Sequence, residues 1–220
     1  HKRFLITELK WIHWPPKENG LKILKINKKK FIYLISPLKI TKTFYSDLIK
    51  VFKTNKVSFF QLRLKKESFK KKMIIGKKLK KICKNFNVKF LVNDDVFLAT
   101  KLKADGCHLG QDDMKILEAR KLIGNKIVGV TCHNSIRLAK IAIKNKADYL
   151  AFGAFNFSKT KKTKYRATVK TLKQARNITK APIVAIGGIN SSNYKKLLLN
   201  KANFLAISGY IWNNKKIKTV

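Results

Sequence analysis

The stretch KFLVNDDVFLATKLKADGCHLGQDD, residues 89–113, contains the pattern on which the fold prediction depends. Two short, mostly apolar segments, 89–92 and 106–109, flank a segment of helical length at 96–103. Segments of this length and order are typical of a strand-helix-strand unit in a parallel sheet. Each strand-like segment runs into a polar stretch, so the same unit predicts where polar side chains collect.

These polar stretches carry Asp94-Asp95 and Asp112-Asp113, four of only 11 acidic residues in the chain. Neighbouring parallel strands lie about 4.8 Å apart and end at the same edge, so carboxylates beyond both ends can converge. One or two carboxylates together with substrate phosphates commonly hold Mg²⁺, whereas aspartate also caps helices. We therefore assign Asp94 and Asp113 to a Mg²⁺ site, and Asp95 and Asp112 to capping of the helices that follow.

Strand-like and helix-like segments alternate along the chain at intervals of about twenty to thirty residues. Eight such units favour a (β/α)8 TIM barrel over an open doubly wound sheet, and the chain length suits a single domain. We predict a basic N-terminal extension at 1–29, a TIM-barrel catalytic domain at 30–214 and a basic C-terminal tail at 215–220. The predicted strands are 31–35, 58–64, 89–92, 106–109, 127–131, 149–153, 183–186 and 204–207, and the predicted helices include 68–85, 96–103, 114–122, 135–144, 169–179 and 191–200.

The end of the second predicted strand, residues 61–65, alternates polar and apolar side chains. This alternation aims Gln61, Arg63 and Lys65 to one side. Neither face of a barrel strand meets water, so we assign these residues to the interior, at the carboxyl rim where TIM barrels carry their active sites. An arginine and a lysine there predict binding of an anion such as phosphate.

Glycines follow the last two predicted strands, as Gly187-Gly188 and Ser208-Gly209. Loops at these positions of a TIM barrel often bind phosphate through backbone N–H groups, and glycine lets an oxyanion approach the main chain. A tight turn alone would also explain the glycine pair. The position of both segments favours a second phosphate site.

The segment after the sixth strand, FNFSKTKKTKYR at 155–166, is long for a βα loop and interleaves hydroxyls with cations. Such a loop suits closing over a pyrophosphate and excluding water, with Ser158, Thr160 and Lys161 as donors. The alternative is a basic surface loop.

Two Cys-His dipeptides, Cys107-His108 and Cys132-His133, suggest a zinc site at first sight. Adjacent strand residues face opposite ways, so each dipeptide offers at most one ligand to a common site, which disfavours zinc. Three cysteines without a CxxC motif argue against a disulfide framework and for a cytoplasmic protein. No apolar run approaches the roughly 18 residues of a membrane span, and the stretch 1–30 lacks the apolar core of a signal peptide.

The formal net charge of +40 would ordinarily indicate nucleic acid or an anionic membrane as the partner. The basic residues are spread along nearly every segment, however, and arginine supplies only six of the 51. Proteins that read bases rely on the bidentate contacts of arginine. We therefore predict a solvated basic surface with no specific nucleic-acid partner and no membrane partner. Nothing in the sequence fixes the oligomeric state.

Six motifs recur in one order: QLR at 61–63, NDD at 93–95, GCHLGQDD at 106–113, GVTCH at 129–133, SKTK at 158–161 and IGGI at 186–189. In order and spacing, from about residue 31 to residue 211, they resemble the thiamine-phosphate synthase family. The resemblance implies a TIM-barrel transferase that couples hydroxymethylpyrimidine diphosphate to a phosphorylated thiazole and releases pyrophosphate. It also implies Mg²⁺ as cofactor and small phosphorylated molecules as partners.

The resemblance further implies roles for individual residues of this chain. Asp94 and Asp113 would hold the metal. The residues implied in catalysis are Arg63, Lys65, Thr131 and Lys161. The pyrimidine diphosphate would be bound by Gln61, Arg63, Lys65, Asn93, Thr131 and Lys161, and the thiazole phosphate by Ser158, Thr160, Gly188, Ile207 and Ser208.

The chain departs from the family pattern on the thiazole side. Members usually have Pro-Thr-x-Thr-Lys after strand six, where this chain has FSKTK at 157–161, and Ala154 stands where proline is usual. Gly209 likewise replaces a larger residue. An alternative function is therefore a paralogous barrel that binds a thiazole phosphate for isomerisation or regulation. The tautomerase branch resembles this chain less, because that branch has a histidine just after the sixth strand, whereas this chain has none at 153–155.

Overall fold

In the computed structural model of this protein, the described residues are 30–157 and 164–214. Eight parallel strands pair in sequence order, and β8 returns to pair with β1, which closes the sheet into a barrel. Helices alternate with the strands on the outside. This architecture confirms the predicted (β/α)8 TIM barrel. The predicted extension at 1–29 and tail at 215–220 lie outside the described residues.

All eight predicted strands are present, and the first βα unit contains a helix that was not predicted from the sequence. The strands are β1 Ile32–Ile35, β2 Val57–Leu62, β3 Lys89–Asn93, β4 Gly106–Leu109, β5 Ile127–His133, β6 Tyr149–Gly153, β7 Ile183–Ile186 and β8 Phe204–Ile207. The helices in the described ranges are α1 Phe44–Lys53, α2 Phe69–Asn85, α3 Val96–Lys101, α4 Ile116–Ile123, α5 Ile136–Lys144, α6 Val169–Ile178, α7 Tyr194–Leu199 and α8 Gly209–Trp212.

The apolar core forms two layers because adjacent strand residues face opposite sides of the sheet. On β1, Tyr33 belongs to the cluster that fills the barrel, whereas its neighbour Leu34 packs in the larger cluster between barrel and helices. The inner cluster is rich in aromatic rings, among them Phe59, Tyr149 and Phe204. These rings fill the interior of the barrel below the carboxyl rim.

Helix α2 shows where much of the positive charge lies. Ile75, Leu79 and Cys83 recur at intervals of four and are buried against the barrel. The opposite face carries exposed lysines such as Lys77 and Lys84. This division is the usual one for an amphipathic surface helix, and it puts the lysine charge in water without a cost in packing.

The two predicted helix caps differ in outcome. Asp95 is the N-cap of α3, where its Oδ1 accepts a hydrogen bond from the Leu98 N–H at 2.8 Å, as predicted. The prediction for Asp112 is wrong, because α4 begins at Ile116, preceded by Lys115, and Asp112 is exposed. The helix starts two residues later than its apolar pattern indicated. Residues 110–113 form a separate turn that positions Asp113.

None of the helices in the described ranges has both the length and the apolar character that a membrane span requires.

Candidate active site

A cavity of about 230 Å³ opens at the carboxyl ends of the strands. One side of its wall is polar and is built from β2 to β5 and the loops that follow them. The other side is apolar and comes from Ala151, Val184, Ile186 and Ala206. A smaller cavity of about 200 Å³ lies alongside and shares Lys65, Asn93 and Asp94 with the first. The site therefore joins a charged half to an apolar half.

The two aspartates assigned to metal binding lie in this cavity and contact each other. Asp94 follows β3 and Asp113 follows β4, and these strands are neighbours in the barrel. The Asp94 N–H donates to the His108 carbonyl at 2.8 Å, and Asp113 Oδ2 accepts from the Gly110 N–H at 2.6 Å. A side-chain hydrogen bond joins the two carboxyl groups. Main-chain contacts on both sides thus hold the pair together.

The two carboxyl groups differ in acidity. Burial raises the pKa of Asp94, but the hydrogen bond from Lys65, the hydrogen bond with Asp113 and the Lys65 charge outweigh it, so the net pKa is lowered. For Asp113, burial and the hydrogen bond with Asp94 both raise the pKa. A carboxyl proton is therefore retained longer on Asp113, from which it bonds to ionised Asp94.

The donor set fits Mg²⁺, which takes oxygen ligands and is often held by one or two carboxylates plus substrate phosphates. Two neighbouring carboxyl groups that open into the cavity, with the Lys65 ammonium beside one of them, provide a place where a divalent ion can bind. Within the described residues, no group of three or more His, Cys, Asp or Glu side chains is arranged to hold a metal. Substrate and water oxygens would therefore complete the coordination.

The cationic residues enter from the turn after β2. Lys65 Nζ lies 2.8 Å from Asp94 Oδ2. The Arg63 backbone N–H donates to Ser36 Oγ at 2.8 Å, which ties this turn to the end of β1. Strand β2 ends at Leu62, so Arg63 and Lys65 extend beyond the sheet into the rim. The cavity lining contains seven of the residues predicted for the site: Gln61, Arg63, Lys65, Asn93, Asp94, Asp113 and Thr131.

A chain of buried polar groups crosses the floor of the cavity. Gln61 Nε2 donates to Tyr33 Oη at 2.9 Å, and Tyr33 Oη lies 2.8 Å from Tyr149 Oη. Tyr149 Oη lies 2.8 Å from His108 Nδ1, and His108 Nε2 lies 2.9 Å from Thr131 Oγ1. Burial raises the pKa of both tyrosines, so both hydroxyls keep their protons.

Three members of this floor, Tyr33, His108 and Tyr149, were not assigned to the site from the sequence. The signal that could have found them is strand alternation, which places each residue on the inward face of its strand. Gly129 makes room for one of them, because a Cβ on Gly129 would overlap the Tyr149 ring. Gln111 was also missed, and its side chain donates to the Thr131 carbonyl.

The predicted phosphate-binding segment after β7 packs against residues 155–157, the start of the loop that follows β6. Gly187 and Gly188 have φ values of +104° and +58°, and a Cβ on Gly188 would overlap the Phe157 carbonyl oxygen. The Asn156 N–H donates to the Gly187 carbonyl at 3.1 Å. Glycine is thus required at 188 both for its backbone angle and for the close approach.

Gly188, Ile207 and Ser208 do not line the main cavity. The Ile207 side chain packs in the outer core, so only its backbone can face a ligand at the rim. Ser208 Oγ donates to the Ser36 carbonyl at 3.2 Å. These residues lie at the ends of β7 and β8, on the far side of the rim from the aspartate pair.

Ser158, Thr160 and Lys161 lie outside the described residues. The chain on their C-terminal side is anchored to the rim. The Tyr165 carbonyl accepts from the Ala154 N–H at 3.2 Å, and the Tyr165 ring stacks on His133 with a centroid distance of 3.9 Å. Asn134 Nδ2 donates to the Arg166 carbonyl at 3.1 Å. Residues 165 and 166 are therefore attached beside β5 and the end of β6.

The Cys-His dipeptides follow the predicted alternation. Cys107 and Cys132 lie in the outer core, between strands and helices, whereas His108 faces the cavity. Burial raises the pKa of each of these two thiols to about 12. Their surroundings are those of small apolar core residues.

Comparison with known proteins places these features in a family. The thiamine monophosphate synthase family model matches residues 32–211. A thiamine-phosphate synthase from Pelagibacter ubique is 68% identical over 195 residues, which cover 88% of this chain and 94% of that protein. A thiamine-phosphate synthase from Erythrobacter litoralis is 40% identical over 187 residues, covering 83% of this chain and 88% of the relative.

A solved structure, thiamine phosphate pyrophosphorylase from Pyrococcus furiosus, superimposes with a TM-score of 0.74 at 27% identity, covering 87% of this chain and 96% of that one. The sequence and structure matches thus extend over nearly the whole length of the relatives. This chain therefore belongs to the thiamine monophosphate synthase family.

Proposed function

We propose that this protein is a thiamine-phosphate synthase, a transferase of thiamine biosynthesis that joins hydroxymethylpyrimidine diphosphate to a thiazole phosphate. The products are thiamine phosphate and pyrophosphate. The observation that carries the proposal is the convergence of Arg63, Lys65 and the Asp94–Asp113 pair on one side of a cavity whose other side is apolar. Family membership supports the same reaction.

The reaction separates charge, and the cavity suits that demand. The bond between the pyrimidine methylene carbon and the diphosphate oxygen breaks, and its electron pair leaves with pyrophosphate. The electron-rich pyrimidine stabilises the resulting cation, and the thiazole nitrogen supplies the pair for the new C–N bond. Neither step needs a general base. Catalysis then consists of neutralising the leaving group and holding two substrates in register.

Arg63 and Lys65 would bind the departing diphosphate, with Arg63 able to hold it through two parallel hydrogen bonds. Lys161 is proposed to join them from the loop after β6. Asp94 and Asp113 would hold Mg²⁺, which when bound would neutralise further charge on the diphosphate. Lys65 would then exchange its contact with Asp94 for one with phosphate. Gln61, Asn93 and Thr131, on the polar wall, would orient the rest of the pyrimidine diphosphate.

The thiazole phosphate is assigned to the opposite side of the rim. Its proposed ligands are Ser158, Thr160, Gly188, Ile207 and Ser208. Two features support the assignment. Backbone N–H groups near Gly188 and Ser208 are at the ends of β7 and β8, where TIM barrels often bind phosphate. The adjoining cavity wall is apolar, which suits a flat heterocycle.

The paralogue alternative is less well supported. A barrel that only binds or isomerises a thiazole phosphate has no need for both Asp94 and Asp113, and the relatives with high identity are named as synthases. The cysteines in the described residues are free thiols. We therefore also propose that the enzyme works in the reducing cytoplasm.

The direct test is to mix the purified chain with both substrates and Mg²⁺ and to follow pyrophosphate and thiamine phosphate together. Synthase activity requires both products in equal amounts, and loss of both when either substrate or Mg²⁺ is omitted. An Arg63→Ala variant that folds normally should release little of either. Absence of both products with the unmodified chain would refute the proposal, and isomerisation of the thiazole phosphate alone would establish the paralogue.

A further inference from the structure

The floor of the cavity contains four consecutive hydrogen bonds, Gln61–Tyr33–Tyr149–His108–Thr131, with heavy-atom distances of 2.8 to 2.9 Å. Tyr33 and Tyr149 are almost fully buried, as is Gln61. Proposed catalysis uses only the two ends of this chain, Gln61 and Thr131. The three groups between them have had no role assigned so far.

The chain has a direction that follows from counting hydrogens. Each tyrosine hydroxyl carries one hydrogen, and burial raises the pKa of both, so both remain protonated. Tyr33 Oη accepts from Gln61 Nε2, so its own hydrogen is available for Tyr149 Oη. If Tyr149 donated to Tyr33 instead, the buried Tyr33 hydrogen would lose this acceptor. Unsatisfied buried donors are rare because they are costly.

The same counting continues through His108. Tyr149 Oη accepts from Tyr33, so its hydrogen goes to His108 Nδ1, which must be unprotonated to accept it. In a neutral imidazole the hydrogen then resides on Nε2, which donates to Thr131 Oγ1. Thr131 therefore accepts from the floor, and its own hydrogen is left to point elsewhere. Thr131 lines the cavity, so the ligand space is in reach.

We infer that Tyr33, Tyr149 and His108 are positioning residues. The two tyrosines hold His108 as the Nε2–H tautomer, and His108 in turn commits the Thr131 hydroxyl to donate a hydrogen bond to the bound ligand. The ligand group that accepts is an anionic oxygen. Its identification as the diphosphate of the pyrimidine substrate rests on the proposed function. Without this series of hydrogen bonds, His108 Nε2 could be unprotonated and accept the Thr131 hydrogen. The Thr131 oxygen could then only accept a hydrogen bond from the ligand.

The tautomer can be measured without any substrate. Nitrogen-15 NMR of the full chain, with the His108 signals assigned by their loss in His108→Asn, distinguishes a protonated Nε2 from a protonated Nδ1. We expect the Nε2–H form at neutral pH. In Tyr149→Phe, which keeps the ring and removes the hydroxyl, the Nδ1–H form should become populated. A resting Nδ1–H tautomer, or an unchanged signal in Tyr149→Phe, would overturn the inference.

Kinetics test whether the hydrogen bonds of the cavity floor act through Thr131. Tyr149→Phe should raise the KM for the pyrimidine diphosphate by about threefold to tenfold, the effect of one neutral hydrogen bond. Thr131→Val should raise it at least as much, and the double variant should be no worse than Thr131→Val alone. Additive effects would mean that Tyr149 acts by some other route, which would contradict the inference.

A matched control separates these effects from general damage. Tyr45→Phe removes the same atom from a tyrosine on α1, outside the cavity, and should leave both the tautomer and the KM unchanged. Melting temperatures confirm that each variant is folded. Failure of the proposed function would appear as an unmodified chain that makes no thiamine phosphate, whereas failure of this inference would appear in the NMR tautomer, which requires no activity.

Discussion

Lys65 Nζ lies 2.8 Å from Asp94 Oδ2, so the cation proposed for the diphosphate is paired with the carboxylate proposed for the metal. The Lys65 side chain is 53% exposed and that of Asp94 26%. Pairs this open to water contribute only about 0 to 1 kcal/mol, so ligands can separate them at little cost. The ion pair keeps both groups in place before the substrate arrives.

Lys65→Met should therefore affect catalysis far more than stability. The melting temperature should change little, whereas turnover should fall by at least about tenfold, because a charge contact to the leaving group is lost. Lys71→Met is a suitable control, since Lys71 forms an ion pair with Glu67 at 2.8 Å and similar exposure on α2. If both substitutions changed turnover equally, Lys65 would have no special role.

Asp94→Asn and Asp113→Asn each keep size and hydrogen-bonding groups but remove the charge that Mg²⁺ needs. We expect turnover to fall by at least about a hundredfold with little loss of stability. The measurement is pyrophosphate release at increasing Mg²⁺. Glu118→Gln, an exposed carboxylate on α4, serves as control for the loss of one negative charge and should behave like the unmodified chain. Near-normal turnover in both aspartate variants would eliminate the metal assignment.

Lys161 and Ser158 should affect different kinetic constants. Lys161→Ala removes a cation from the leaving diphosphate, whose charge grows in the transition state, so kcat should fall strongly. Ser158→Ala should mainly raise the KM for the thiazole, by the factor that corresponds to a loss of about 0.5 to 1.5 kcal/mol of binding free energy for one hydrogen bond. Lys170→Ala on the outside of α6 is the control. Single-turnover kinetics in which Lys161→Ala and Ser158→Ala act alike would argue for a plain basic surface segment.

The buried thiols predict a loss of stability at alkaline pH. Burial raises the pKa of Cys107 and Cys132 to about 12, above the value of about 8.5 for a free thiol. The folded state thus favours the protonated form, a contribution that is complete below about pH 8.5 and is lost as the pH rises towards 12. Urea midpoints of a Cys107→Ala, Cys132→Ala double variant should fall less steeply with pH than those of the unmodified chain. Equal slopes would show that other groups account for the decline.

The net charge of +40 should give weak, sequence-independent binding to DNA. Because lysines bind phosphates by displacing counterions, affinity should drop steeply between about 50 and 200 mM salt. Titration of two unrelated duplexes of equal length, at several salt concentrations, measures this. Tight binding to one sequence at physiological salt would favour a nucleic-acid function instead.

The strand pattern of the sequence predicted most of the fold, because the β-branched and aromatic segments, such as 183–186, are short and have clear ends. Helix boundaries that depend on capping residues were less predictable. Asp112 resembles an N-cap in sequence, yet the chain first makes the turn in which Asp113 accepts from Gly110, and α4 begins only at Ile116. A local turn thus competes with the cap for the same residues.

The charged part of the candidate site was accessible from the sequence because TIM barrels carry their active sites at the carboxyl ends of the strands, where these residues stand. The tyrosines of the floor were not accessible in this way. Tyr33 and Tyr149 have the composition of ordinary strand residues, and only the closure of the barrel brings their hydroxyls within 2.8 Å of each other across 116 positions of sequence. Such a contact depends on barrel curvature, which no local pattern encodes.

Gly129 and Tyr149 are register partners on β5 and β6, and the ring of one fills the space left by the other. Alanine at 129 would force a smaller side chain at 149, and with it the loss of the hydroxyl that bonds to His108. A side chain at 129 therefore requires a change at 149 as well. In a mutant library the two codons would have to be varied together, and a homologue with a side chain at 129 should carry a different floor.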